Sequence, residues 1–290
     1  MRLAIAFALV ALNAVSQPAH RVEFKCTDED LQTIGLACTE AEPCPVFLEL
    51  SAVEAVGPKL FIAGNLHTDT ATLNSILLTS ADGGATWSEP QGRIRNAGLE
   101  QIQFFDFEVG WVAGQKLQGV PRDPFILITR DGGKTWQSQS ITEEEGRPGS
   151  VEQFWFDSRD SGMLILDRRG SETGARHELY ESMTGGTNWS LKEASSKPVQ
   201  LKRSKPVVNA DWRLRADAGS KAYRLERKQG STWTLVAGFP IRVGECRAKE
   251  SVLAEPEATP EPEKEEPKPA APAKPPARKP TLERKRPASR

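Results

Sequence analysis

The strongest constraint in this chain is an octet that it spells more than once. Ser80-Ala81-Asp82-Gly83-Gly84-Ala85-Thr86-Trp87 is followed by Thr129-Arg130-Asp131-Gly132-Gly133-Lys134-Thr135-Trp136. A third copy, Ser182 to Trp189, keeps Ser182, Gly185, Gly186 and Trp189 but lacks the Asp and the second Thr. A worn fourth, Glu226 to Trp233, keeps Gly230, Thr232 and Trp233. Reaction centres are needed once, whereas a motif returning about every 50 residues has the spacing of a structural repeat. Paired glycines supply the positive φ that a tight turn requires. An aspartate in such a turn accepts hydrogen bonds from neighbouring backbone N–H groups. Asp82 and Asp131 are therefore read as turn staples, with Thr86 and Thr135 adding turn hydrogen bonds and Trp87 and Trp136 packing at the start of the outgoing strand.

Each octet follows a short apolar run: SILLTS, FILITR, HELYES and AYRLER. Upstream of the first three lies a second recurring signal, at Gly57–Gly64, Phe104–Gly114 and Phe154–Leu166. No sustained 3.6-residue periodicity occurs between Val46 and Ile241, and short β-rich runs at this period predict propeller blades. The expected fold is all-β: a β-propeller of about four recognisable four-stranded blades, each turned by an octet hairpin. Phe104, Phe105, Phe154, Trp155 and Phe156 are expected between blades.

The octets resemble the Asp-box, or BNR repeat, of sialidases, sortilin-type receptors and photosystem II assembly factors. Gly110–Gly114 (GWVAG) followed by Ile126–Trp136 is most similar to the last group, whose propellers are non-catalytic platforms for membrane-protein partners. The resemblance implies an exported binding or assembly module. Its alternative is a sialidase-like glycoside hydrolase, which would need three convergent arginines, a Tyr nucleophile with a Glu partner, and an acid Asp. The Arg-Ile-Pro motif expected before the first octet is missing, and FPIR at Phe239–Arg242 is scrambled and misplaced. Tyr180 and Tyr223 are the two tyrosines, both on strands feeding an octet.

The ends of the chain of 290 residues differ from its middle. Arg2, an apolar run and Ala14-Val15-Ser16 predict a secretory signal over 1–16. No second long apolar stretch follows, so no transmembrane segment is expected in the mature chain. Residues 17–247 are assigned to the propeller. Residues 248–290 read as a disordered tail, rich in Pro, with Glu255, Glu257, Glu261, Glu263, Glu265 and Glu266 preceding Arg278, Lys279, Arg284, Lys285, Arg286 and Arg290. Its basic tip suits an anionic envelope surface. Four cysteines in an exported chain predict disulfides, Cys38–Cys44 and Cys26–Cys246 being favoured among three pairings. With no C-x-x-C spacing and three histidines, neither a metal nor a cofactor is expected.

Net charge of −1 gives no argument for nucleic acid. Glu143, Glu144 and Glu145 read as a solvated loop tip, His177 as a surface residue, and His67 with Asp69 as a pair without a serine motif. A protein or peptide partner is expected instead. Arg93, Arg95, Arg122, Arg168, Arg169 and Arg176 fall in inter-strand loops and would make a cationic face if they converged. The expected location is periplasmic or extracellular.

Overall fold

A computed structural model describes residues 19–169, 174–201 and 210–247. The expected signal segment over 1–16 and the expected tail over 248–290 lie outside these residues. The contacts divide the chain into Met1–Glu250 and Ser251–Arg290, and every described residue belongs to the first unit.

The described residues form four antiparallel sheets and one short helix, α1 (Asp28–Ile34). The first sheet contains β1 (Cys44–Val56), β2 (Lys59–His67) and β3 (Thr72–Ser80). The second contains β4 (Ala97–Phe104), β5 (Gly110–Gln118), β6 (Val120–Thr129) and β7 (Gln137–Ser140). The third contains β8 (Ser150–Phe156), β9 (Gly162–Asp167), β10 (His177–Ser182) and β11 (Ser190–Ser195). The fourth has three strands, β12 (Trp212–Asp217), β13 (Ala222–Gln229) and β14 (Thr232–Pro240). The last strand, β15 (Arg242–Cys246), crosses to the first sheet and pairs with β1, Cys44 opposite Cys246. Four consecutive meanders, with the final strand returned to the first sheet, define the architecture. The chain is an all-β propeller.

Each sheet buries the apolar residues of its middle strands. Leu60 to Leu66, Trp111 to Ala113 and Leu164 to Leu166 are almost wholly shielded. Aromatic stacking joins neighbouring sheets: Phe61 lies 4.3 Å from Phe104, and Trp111 lies 3.7 Å from Phe156, centroid to centroid. Phe104, Phe154 and Phe156 are thus inter-blade core, as their sequence context predicts. Gln103 adds a two-point backbone link, donating to Phe156 O at 2.8 Å and accepting from Phe156 N at 2.9 Å. The fourth sheet packs on the first through Leu225, Ala237, Phe239 and Trp212. Among the described residues, no strand of the third sheet packs broadly on a strand of the fourth.

The N-terminal segment seals the junction of the last and first strands. Ala19 bridges to Gly238 and Val22 is buried. Cys26 is bonded to Cys246 and Cys38 to Cys44, the two pairings favoured from the sequence. The helix begins at a capping box, with Thr27 Oγ1 accepting from Asp30 N at 3.2 Å and Asp30 accepting from Thr27 N at 2.8 Å.

Candidate functional site

The octets occupy one end of the sheets, and their geometry explains their composition. In the first three, the leading hydroxyl is buried and accepts the N–H of the second glycine: Ser80 from Gly84 at 2.8 Å, Thr129 from Gly133 at 2.9 Å, and Ser182 from Gly186 at 2.9 Å. The first glycine donates to the turn between the first two strands of its own sheet. Gly83 bonds Pro58 O, Gly132 bonds Glu108 O and Gly185 bonds Asp160 O, all within 3.0 Å. Asp82 accepts from Thr86 N at 2.9 Å and Thr86 Oγ1 at 2.6 Å; Asp131 does the same with Thr135 at 3.0 and 2.6 Å. These bonds hold both carboxyls below the ordinary aspartate range, Asp131 at about 2, with the Thr135 hydroxyl the largest cause. In the third octet Thr184 takes the place of the aspartate and accepts from Asn188 N at 2.9 Å.

The second glycine also presses on the preceding sheet. A Cβ at Gly133 would meet Phe61 at 2.3 Å, and one at Gly84 would meet Val236 at 2.5 Å. The indoles of Trp87 and Trp136 close the turns by donating to Gly84 O at 3.0 Å and Gly133 O at 3.2 Å. Trp189 Nε1 makes no such bond, and Trp111 Nε1 donates to Gly185 O instead.

The fourth stretch folds differently from the other three. Gln229 pairs directly with Thr232, so Gly230 and Ser231 form a two-residue hairpin. Trp233 lies under the Arg213 guanidinium, 4.1 Å from its ring centroid. Glu226 stands where the other copies have a hydroxyl, and Gln229 replaces the first glycine. Glu226 is buried beside Arg213 at 2.7 Å and Arg224 at 3.2 Å. Burial pushes its pKa up, but Arg213, Arg215 and Arg224 more than offset this and hold it low. Gly230 and Trp233 therefore do not belong to an octet turn.

The opposite end, where β2 meets β3, β5 meets β6 and β9 meets β10, carries two clefts. One, of about 690 Å³, lies between the first two sheets and is lined by Glu49, His67–Thr72, Asn96 and Leu117–Gly119. The other, of about 570 Å³, lies between the second and third and is lined by Glu100, Gln115, Leu117, Val120, Pro148–Ser150, Asp167 and Arg169. Leu117 belongs to both, so the β5–β6 hairpin forms the ridge between them. No octet residue lines either cleft.

A device repeated in the first strand of each of three sheets shapes this end. β1, β4 and β8 each carry a bulge, between Leu50 and Ala52, Leu99 and Gln101, and Val151 and Gln153. Bulges re-aim side chains, and in the second and third sheets the extra residue is Glu100 or Glu152. Glu100 accepts from Gln115 Nε2, Glu49 from Asn65 Nδ2 at 3.0 Å, and Glu152 bonds His177 Nδ1 at 2.7 Å. His177 is buried at the start of β10, a correction to its reading as a surface residue: Asp167 lies opposite it in the ladder and Glu152 covers its ring. Desolvation raises the Glu100 pKa, the Gln115 bond opposes this, and the Glu49 charge adds to the rise.

A Tyr–Glu pair is present on β10. Tyr180 OH donates to Glu178 at 2.9 Å, and Arg147 and Arg168 approach the same carboxylate at 2.9 and 3.5 Å. The group is interior, with Tyr180 and Glu178 each about 5% exposed or less. Burial and the Glu178 bond push the tyrosine up to about 12. Tyr223 is half-buried, and its pKa is raised chiefly by desolvation.

The six arginines proposed from the sequence do not share a free face. Arg93 is clasped by Glu89, Arg95 by Glu29, Arg168 by Glu178, and Arg169 and Arg176 both by Asp167. Arg122 is half-buried, its Nε without a partner. Sequence spacing cannot show the carboxylates that folding brings beside these side chains. Glu143, Glu144 and Glu145 are exposed, and Glu144 lies 3.7 Å from Arg147.

No protein-family model matches the chain, and no curated protein matches it. Solved structures similar to it include YCF48 from Cyanidioschyzon merolae, 17% identical over 67% of this chain and 57% of that one, with a TM-score of 0.35. The GH74 xyloglucanase from Xanthomonas campestris is 16% identical over 46% of this chain and 18% of its own, with a TM-score of 0.36. The alpha-L-arabinanase of Penicillium chrysogenum is 13% identical over 69% and 62%, with a TM-score of 0.33. This chain spans less than two thirds of each of these proteins. Likenesses this slight do not bear on activity, and the architecture rests on the sheet topology itself.

Proposed function

We propose that this protein is an exported, non-catalytic Asp-box propeller that binds a protein or peptide partner at the end opposite its octets, in the manner of an assembly factor. The observation that carries this reading is the pair of clefts sharing Leu117, bordered by segments of three sheets and containing polar atoms that no protein group satisfies. Concave sites with a few convergent polar groups are where ligands are held. The octet end, by contrast, uses the Ser80, Asp82, Thr129 and Asp131 side chains within its own turns.

The sialidase-like alternative would draw on Tyr180, Glu178, Arg147 and Arg168. A nucleophile must reach its substrate and be activated, whereas burial and a raised pKa disfavour ionisation of Tyr180. Two disulfides suit an oxidising compartment, which supports placement outside the cytoplasm. A role for the basic tail at an anionic surface rests on sequence alone.

The test uses the full chain carrying Gln118→Cys, an exposed site on the ridge, coupled to a polyethylene glycol maleimide. The unmodified protein should capture a partner from its own envelope and the blocked one should not, while neither hydrolyses a fluorogenic sialoside. Equal capture by blocked protein would refute the assigned face, and turnover of the sialoside abolished by Tyr180→Phe would establish the alternative.

A further inference from the structure

We infer that the ridge between the two clefts is a receptor for a cationic side chain, a lysine or arginine of the protein partner, held by Glu49 and Glu100 and by carbonyl oxygens of Asn65, Asn96 and Gln115. This deepens the binding reading above and rests on it. The sign of the site is opposite to the one the loop arginines suggest.

Three facts converge on a donor-rich, positively charged ligand. The first is unsatisfied acceptors. Asn65 Oδ1, Asn96 Oδ1 and Gln115 Oε1 are buried without a partner, on side chains 94–99% shielded. Asn96 lines one cleft and Gln115 the other. A buried polar atom left unpaired costs about 1–3 kcal/mol, so such atoms mark places where something else completes the bond. The amide orientations are fixed at two positions. Asn65 and Gln115 each point their NH₂ at a carboxylate, and turning either round would set oxygen against oxygen. The atom each leaves unpaired is therefore an acceptor, which calls for a donor.

The second fact is uncompensated negative charge. Glu49, Asp69 and Glu100 line the clefts, and none is in an ion pair among the described residues. Among the described residues Arg169 is the one Lys or Arg lining either cleft, and it is held by Asp167 at 2.8 Å. The third fact is proximity across the blade junction. The Glu49 charge acts on Glu100, and a Cβ at Gly98 would lie 3.0 Å from Leu117 and 3.7 Å from Asn65 Nδ2. Glu49 and Asn96 thus line one cleft and Glu100 and Gln115 the other, on either side of Leu117, with Asn65 bonded to Glu49 beside the first. No group of three His, Cys, Asp or Glu among the described residues could hold a metal ion. A guanidinium or ammonium, with several donors and one charge, fits the acceptors and the potential together.

Arg122 Nε and Arg168 Nη1 are also unpartnered and buried. They are donors, and Arg168 Nη1 lies against Gly149 on the far wall of the second cleft. They do not contribute acceptors to the ridge, and the proposal does not use them.

The experiment is fluorescence anisotropy with the full chain and a fluorescein-labelled Gly-Ser-Arg-Gly-Ser peptide, alongside the same peptide with citrulline in place of arginine. Citrulline keeps the shape and removes the charge. The arginine peptide should bind, and Glu49→Gln and Glu100→Gln should each weaken it by about tenfold or more, as for a close charge pair. Glutamine keeps a carbonyl acceptor, so a neutral hydroxyl-bearing ligand would be expected to tolerate these changes. Melting temperatures within a few degrees of wild type would show that both variants fold. Absence of arginine-peptide binding, equal binding of the citrulline peptide, or no effect of either substitution overturns the inference. A partner captured through the ridge but not displaced by the arginine peptide also overturns it, and leaves the protein-binding reading intact.

Discussion

At the scale of single residues, the octet divides its work between charge and space. The Asp131 carboxyl is held at about 2 in the fold against 3.8 for the ordinary group. A depressed folded value means stability that is present above about pH 4 and lost as pH falls through about 2. Melting temperature should therefore decline over that window, and Asp131→Asn should flatten the decline while lowering the neutral-pH value. The glycines do a spatial job that no other residue can replace. Gly133 has φ +82 and would drive a Cβ into Phe61. Gly133→Ala should cost about 2–4 kcal/mol, combining backbone strain with overpacking. Gly119, at φ +76 with open space around it, supplies the control. Gly119→Ala should cost only the backbone part, about 1 kcal/mol, as denaturant melts would show.

At the scale of elements, the octet hairpin joins its sheet to the one before it. Its first glycine ties to its own sheet through Pro58, Glu108 or Asp160. Its second glycine lets the turn press on Val236 or Phe61, or on the Ile128 side chain of the second sheet in the third copy, where Phe156 of its own sheet packs as well. That double attachment is why the sequence can repeat the motif three times with little change. The fourth hairpin lacks both attachments and closes in two residues. Trp233→Ala should therefore be milder than Trp136→Ala. The first strips an Arg–Trp contact from a part-exposed ring, about 1 kcal/mol. The second empties a buried site next to Phe61 and Phe104, about 3–5 kcal/mol by thermal or urea unfolding.

At the scale of the whole molecule, the Cys26–Cys246 bond spans a sequence separation of 220 and fastens the N-terminal segment to the strand that returns to the first sheet. Loop-closure arithmetic gives about 5 kcal/mol for a loop of that size, against about 2 for the short Cys38–Cys44 staple. Under non-reducing conditions Cys246→Ser should lower the melting temperature more than Cys38→Ser. Equal shifts would mean that the long bond does not restrain the unfolded chain as this argument requires. The same return strand gives β1 a partner on its otherwise open edge, and an unpaired edge is a template for aggregation. The cysteine-to-serine change is therefore expected to increase light scattering on heating as well.

What can be read from the chain alone is whatever is local. Turn chemistry depends on neighbours a few residues away, so Ser80, Asp82, Gly84 and Thr86 spell their own hydrogen bonds, and the strands on either side follow from short apolar runs. The two disulfides were legible because four cysteines leave few pairings, and the domain's ends had reason to meet. The candidate site emerges only once the sheets are packed. Glu49, Glu100, Asn65, Asn96 and Gln115 come from separate strands and loops of two sheets, and nothing in their spacing shows that bulges and blade packing bring them to either side of one ridge. The loop arginines failed as a guide for the same reason. A side chain's charge is read from the sequence, but whether Asp167 or Glu178 stands beside it to cancel that charge is settled only by which strands become neighbours.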